Sequence, residues 1–163
     1  MKASEQFKSM EEVKQLAEQL RASVGEDNFE YIEYALGILE NQGIWQEVEL
    51  NGEIIKLDRS MVDFIKDLNS RGYTTLACCS GLLSEHPNEK FKPTGGYVAF
   101  VFDAVLLADL QAYFAEKVAS GLMVIEESEC YLKPCVLIHI KSNNEETLKQ
   151  EWSNIWTYFK GRK

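Results

Sequence analysis

The sequence predicts an α+β fold, and three observations carry the prediction. Stretches with apolar residues at helical spacing alternate with short strand-like runs. Asn51-Gly52 between two alternating segments marks a hairpin. From residue 58 the order of elements is α-β-β-α-β-β-α, an αββ unit used twice with a closing helix. Sequential strands joined without a helix favour a mixed or antiparallel sheet with the helices packed on one face. The expected organisation is a single domain over 1–163. Residues 1–57 form an N-terminal extension of helices and a β-hairpin, and residues 58–163 form the core.

The elements follow in order. Met10, Val13, Ala17, Leu20 and Val24 recur on one face of a helix over 9–24, and Ser9 with Glu12 has capping-box spacing. A second helix is expected over 28–40, with Ile32, Leu36 and Leu39 inward and Gly43 as its stop. The Asn51-Gly52 turn pairs Val48 with Ile55 and Glu47 with Lys56. Met61, Phe64, Ile65 and Leu68 predict a helix over 59–71, with Asp58 as N-cap and Gly72 as the C-terminal stop.

Strands are expected over 73–78 and 97–102, joined by a polar loop. Asp103 caps a helix over 104–119 that buries Leu107, Leu110, Phe114 and Val118. Strands over 121–127 and 135–140 follow, the second preceded by Pro134. Asn143 with Glu146 opens the last helix, whose stripe is Leu148, Trp152, Ile155, Trp156 and Phe159.

Composition narrows the functional classes. Apolar residues make up 45% of the 163, enough for a core without disulfide or metal support. The net charge of −9 disfavours nonspecific nucleic-acid binding, which draws on Lys and Arg to displace counterions from phosphates. Residues 1–10 are polar, without the apolar stretch of a secretory signal. No run of about eighteen apolar residues is present, so no membrane span is expected. The four cysteines then read as reduced thiols in a cytoplasmic protein.

The chemically loaded stretch is Cys78-Cys79-Ser80-Gly81, at the end of a predicted strand. A strand end fixes the backbone, and glycine lets a ligand or another chain approach closely. Ser80 and the amides around Gly81 suit an anion-binding nest, and Cys79 becomes a thiolate if a cation lies near. The loop of about fifteen residues from Leu82 to Gly96 carries His86, Lys90, Lys92 and Thr94-Gly95-Gly96, and is expected to hang over the same end. The alternative is structural: buried cysteines act as small hydrophobes, and Ser-Gly is ordinary turn chemistry.

A zinc site from Cys78, Cys79, His86, Cys130, Cys135 and His139 is disfavoured by spacing, because no Cys-x-x-Cys pair occurs. His139 is expected on the strand face opposite Leu137, half-buried rather than ligating. No Walker loop, hydrolase elbow or Gly-x-Gly-x-x-Gly is present.

The order strand, Cys78-Cys79-Ser80-Gly81, loop, Gly95-Gly96-Tyr97 strand, helix, and then Pro134 to His139 before a final helix, resembles the wybutosine-synthesising tRNA methyltransferase family at its N4-methylation step. The resemblance covers about residues 58–160. It implies a methyltransferase-related fold and S-adenosylmethionine as a cofactor. This chain has Leu82 and Leu83 where that family has a basic residue after Ser-Gly, and Val101-Phe102 where the family strand ends in Ser-His. A shared fold with an altered function follows from those departures. The chain also resembles small bacterial or phage proteins with a Cys-Cys-Ser-Gly loop.

Two functional readings result. One is a nucleotide, small-molecule or S-adenosylmethionine-type binding corner made of Cys79, Ser80, Gly81, His86, Thr94, Gly95 and Gly96. The other is a non-enzymatic interaction or homodimerisation domain. An open pocket between Ser80 and Gly96 favours the first, and a buried, filled loop favours the second.

Overall fold

The structure, a computed structural model, describes residues 45–86 and 93–162, and before them only Gln15, Glu18 and Gln19, all helical. Those three positions fall in the helix expected over 9–24. The helix expected over 28–40, Lys90 and Lys92 lie outside the described residues. The chain divides into two units, one of Met1–Ile44 with His86–Lys92 and one of Trp45–Glu85 with Pro93–Lys163. The second unit is described below. The hairpin groups with this unit, not with residues 1–44.

Strands β1 (Trp45–Leu50) and β2 (Glu53–Asp58) form a two-stranded antiparallel sheet. Val48 pairs with Ile55 and Glu47 with Lys56, the register that the Asn-Gly turn dictates. Asn51 and Gly52 both have positive φ, 53° and 84°, as a type I′ turn requires.

A 3₁₀ turn (Arg59–Met61) leads into α1 (Val62–Ser70). Met61, Phe64, Ile65 and Leu68 are buried, as their spacing predicts. Gly72 has φ 92°, and Tyr73 N–H returns to Leu68 O at 3.0 Å, which closes the helix end.

Strand β3 (Thr75–Cys79) is followed by a 3₁₀ turn (Leu83–Glu85), β4 (Gly96–Val101), α2 (Ala104–Tyr113) and α3 (Ala115–Ala119). Then come β5 (Met123–Cys130), β6 (Lys133–Ile140) and α4 (Glu145–Gly161). The sheet order is β3-β4-β6-β5, antiparallel throughout. The duplicated αββ order is therefore present, and the second strands of the two units, β4 and β6, meet at the centre.

Alternation places Val98, Phe100, Val136, Ile138, Ile140, Met123 and Ile125 in one buried cluster with Leu106 and Leu110 of α2 and Leu148, Ile155 and Phe159 of α4. This is the helix-covered face. On the other face, the register aligns Cys79, Tyr97, His139 and Val124 in one row, and Ala77, Ala99, Leu137 and Glu126 in the next.

Several expectations are corrected. His139 and Leu137 share a face, because residues two apart in a strand point the same way. Asp58 makes no side-chain cap; its carboxylate is used elsewhere. The last helix is capped one residue later than expected, by Asn144, whose side chain accepts Thr147 N–H at 2.9 Å.

Asp103 does cap α2, accepting Val105 N–H and Leu106 N–H. The helix after it breaks at Phe114; Leu110 and Phe114 are buried as expected, Leu106 joins them, Leu107 is only partly buried and Val118 is exposed. Pro134 lies inside β6. It sits just beyond the β4 ladder, which ends at Val101 opposite Cys135, and its carbonyl still accepts Phe102 N–H at 3.2 Å.

Candidate functional site

Ser80 joins three elements at the strand ends. It is fully buried. Its N–H donates to Asp58 Oδ2 at 2.7 Å, its Oγ accepts Leu82 N–H at 3.2 Å, and its carbonyl accepts Trp152 Nε1–H at 2.8 Å. Each partner comes from a different element: the end of β2, the turn after β3, and α4. A buried polar group left unpaired costs about 1–3 kcal/mol, so these bonds pin the three elements to one residue.

The glycines complete the junction by letting backbones touch. Gly81 has φ 76°, and a β-carbon there would lie 2.5 Å from Gly96 N and 2.6 Å from Gly95 C. One at Gly96 would lie 2.5 Å from Ser80 O and 2.7 Å from Trp152 Cζ2. One at Gly95 would lie 2.1 Å from Ile140 O and 3.0 Å from His139 Nε2. Ser80-Gly81 and Gly95-Gly96 therefore do converge, but on each other. The indole of Trp152 packs over Gly96, so this junction is a packed one.

The remaining predicted residues divide. Thr94 is exposed beside the glycines, and Cys79 is half-buried on the face away from the helices. His86 belongs to the other unit.

The thiols are held protonated. Burial raises the Cys78 thiol to about 12, with the Asp58 carboxylate adding to it. Burial raises Cys79 to about 11, again with Asp58, which accepts a hydrogen bond from the thiol. The cation that would make Cys79 a thiolate is replaced by a carboxylate, which acts in the opposite direction. Tyr97, across from Cys79, is likewise raised to about 12 by burial first and by Cys79 second. His139 is lowered by burial, with Lys141 adding to the effect.

Sequence reasoning missed Asp58 and Trp152 as the partners of Ser80. They lie 22 and 72 residues away from it, and helix periodicity accounts for Trp152 without reference to Ser80. It also missed Glu85, a buried carboxylate that accepts the N–H and the hydroxyl of Ser60. The adjacent turn is tied to α4 by Ser84 N–H donating to Glu145 Oε1 at 2.8 Å.

A second region stands out at the β5–β6 turn. Tyr131 and Leu132 have φ of 50° and 63° and are 78% and 90% exposed. Their turn has the same two-residue form as Asn51-Gly52, with side chains of the opposite character.

Compared with protein families, with curated proteins and with solved structures, the chain matches none. Among the described residues no helix is long and apolar enough to cross a membrane.

Proposed function

We propose that this chain is a protein-interaction domain that associates through the tip of its β5–β6 hairpin, with a second copy of itself as the partner. The observation that carries the reading is the Tyr131-Leu132 turn. A two-residue hairpin turn with both φ positive favours Asn and Gly. An L-residue with a bulky side chain costs roughly 1–2 kcal/mol in the left-handed region. Here two such residues occupy it while exposing most of their apolar surface to water. Among the described residues, that strain is not offset by burial of the two side chains. The arrangement gains on association, where an exposed tyrosine is an effective anchor.

The neighbourhood supports the same reading. Val101 and Tyr97 are 48% and 37% exposed on the sheet face away from the helices, and Tyr131 is an electrostatic neighbour of Tyr97. The alternative, a ligand at the strand ends, has less support, since among the described residues Ser80 and Gly96 are buried against each other.

Sedimentation velocity on the full chain tests the proposal. The native protein is expected to dimerise with rising concentration. The double variant Tyr131→Asn, Leu132→Gly is expected to remain monomeric and folded. A native chain that stays monomeric at about 100 μM, weaker than about −5.5 kcal/mol of association, overturns self-association. Thermal unfolding with S-adenosylmethionine tests the rival. Saturation at 100 times Kd adds about 2.7 kcal/mol to stability. A rise in Tm that Gly96→Ala abolishes would restore the strand-end site.

A further inference from the structure

A cavity of about 270 Å³ lies between α1 and α4 and shares Leu82 and Trp152 with the Ser80 junction. Its apolar wall is formed by Met61, Phe64, Leu82, Trp152 and Trp156. The volume is close to the lower end of small-ligand pockets, which begin near roughly 300 Å³, and accommodates one aromatic ring system.

The aromatic walls are fixed before anything binds. Trp152 Nε1–H is held by Ser80 O at 2.8 Å, and Trp156 Nε1–H by Asp67 Oδ2 at 2.7 Å. Phe64 packs against both indoles, with ring centroids 5.7 and 5.9 Å away. Lys160 Nζ sits 3.9 Å from the Trp156 ring centroid and holds that ring as well. Rings whose rotamers are already set lose little entropy when a ligand arrives. Because both indole N–H groups have partners, the walls offer π surface and not hydrogen bonds.

The polar part of the lining is narrower still. Ser60 is already bonded to Glu85. That leaves Ser153 and Lys149 from α4. Among the described residues the lining holds no carboxylate, in a chain of net charge −9, and Lys149 is its cation. One acidic neighbour of Lys149 is Glu145, one turn earlier, whose Oε1 already accepts Ser84 N–H. Lys149 lines the cavity and is exposed, and a lysine beside an aromatic cavity selects for an anionic group on an aromatic ligand.

We propose that this cavity binds a small aromatic carboxylate, its ring between Phe64, Trp152 and Trp156 and its carboxylate on Lys149. The site goes beyond the interaction reading and does not depend on it. Phenylacetate and its neutral analogue phenylacetamide are the probes, titrated into the ¹⁵N-labelled full chain while the indole N–H signals of Trp152 and Trp156 are followed.

Phenylacetate is expected to move both signals saturably, with Kd near 1 mM or tighter. Lys149→Gln is expected to weaken phenylacetate about tenfold and leave phenylacetamide unchanged, as loss of one charge-assisted contact requires. Ser153→Phe, at an exposed position, is expected to fill the cavity and remove both ligands while Tm is retained. No saturable shift with phenylacetate up to about 10 mM overturns the site. Equal weakening of both probes by Lys149→Gln overturns the assignment of the carboxylate to Lys149.

Discussion

The connections of the two αββ units make opposite use of the backbone. In the first unit, the strand ends at Ser80-Gly81 and Gly95-Gly96 are small. Chains approach within β-carbon distance, and every polar group of Ser80 finds a partner. In the second, the turn at Tyr131-Leu132 carries two large side chains, and the positive φ values fall where no glycine relieves them. The first connection is built inward, its small residues removing bulk so that elements can dock. The second is built outward, with bulk left 78% and 90% exposed. Strain without burial therefore separates the candidate interface from the structural joint more clearly than the chemistry of the residues does.

The sharpest way to break the contrast is to add a methyl group at the joint. Gly81→Ala combines a left-handed φ with a clash against Gly96 N, and is expected to lose about 2–5 kcal/mol in urea unfolding. Gly121→Ala, with φ 81° and open space around it, is the control and is expected to lose only about 1–2 kcal/mol. Equal losses at the two positions would show that close packing at the Ser80 junction contributes little.

Trp152→Phe keeps an aromatic ring but leaves the buried Ser80 carbonyl without its donor. It is expected to lose about 1–3 kcal/mol, read from the urea midpoint at unchanged m-value.

The tip runs in the other direction. Tyr131→Asn with Leu132→Gly is expected to stabilise the monomer by about 1–2 kcal/mol while abolishing association. A destabilised double variant would show that the turn contributes to folding after all.

The smallest effect concerns His139, on the sheet face away from the helices. Burial holds its pKa below 6.5, so the unfolded chain takes up a proton near that pH which the folded chain resists. Stability from this source is complete above pH 6.5 and declines as the pH falls toward the folded value. His139→Gln is expected to flatten that slope of the urea midpoint below pH 6.5 and to change little at pH 8. An unchanged slope would place the pH dependence elsewhere.

Local rules carried much of the fold. Asn51-Gly52 sets the hairpin register because the turn type admits one pairing, and Val48 meets Ile55 accordingly. The spacing of Met61, Phe64, Ile65 and Leu68 gives a helix with a buried face whatever it packs on. The candidate site was less legible. Ser80, Gly81, Gly95 and Gly96 are recognisable as residues that permit close approach, but the sequence does not say whether a ligand or a second chain segment approaches. Asp58 has the position of a helix cap, and its carboxylate is drawn instead to the buried N–H of Ser80, where an unmade bond costs more.

Element types, their order, the hairpin register and the acidic balance thus follow from neighbours in the chain, because propensity, periodicity and turn chemistry act over a few residues. The closure of the Ser80 junction, the protonated state of Cys78 and Cys79, and the cavity walled by Phe64, Trp152 and Trp156 depend on residues far apart in the chain. Their burial and pairing exist only once the helices have docked on the sheet, and it is that docking which turned the Cys-Cys-Ser-Gly stretch into a packed joint.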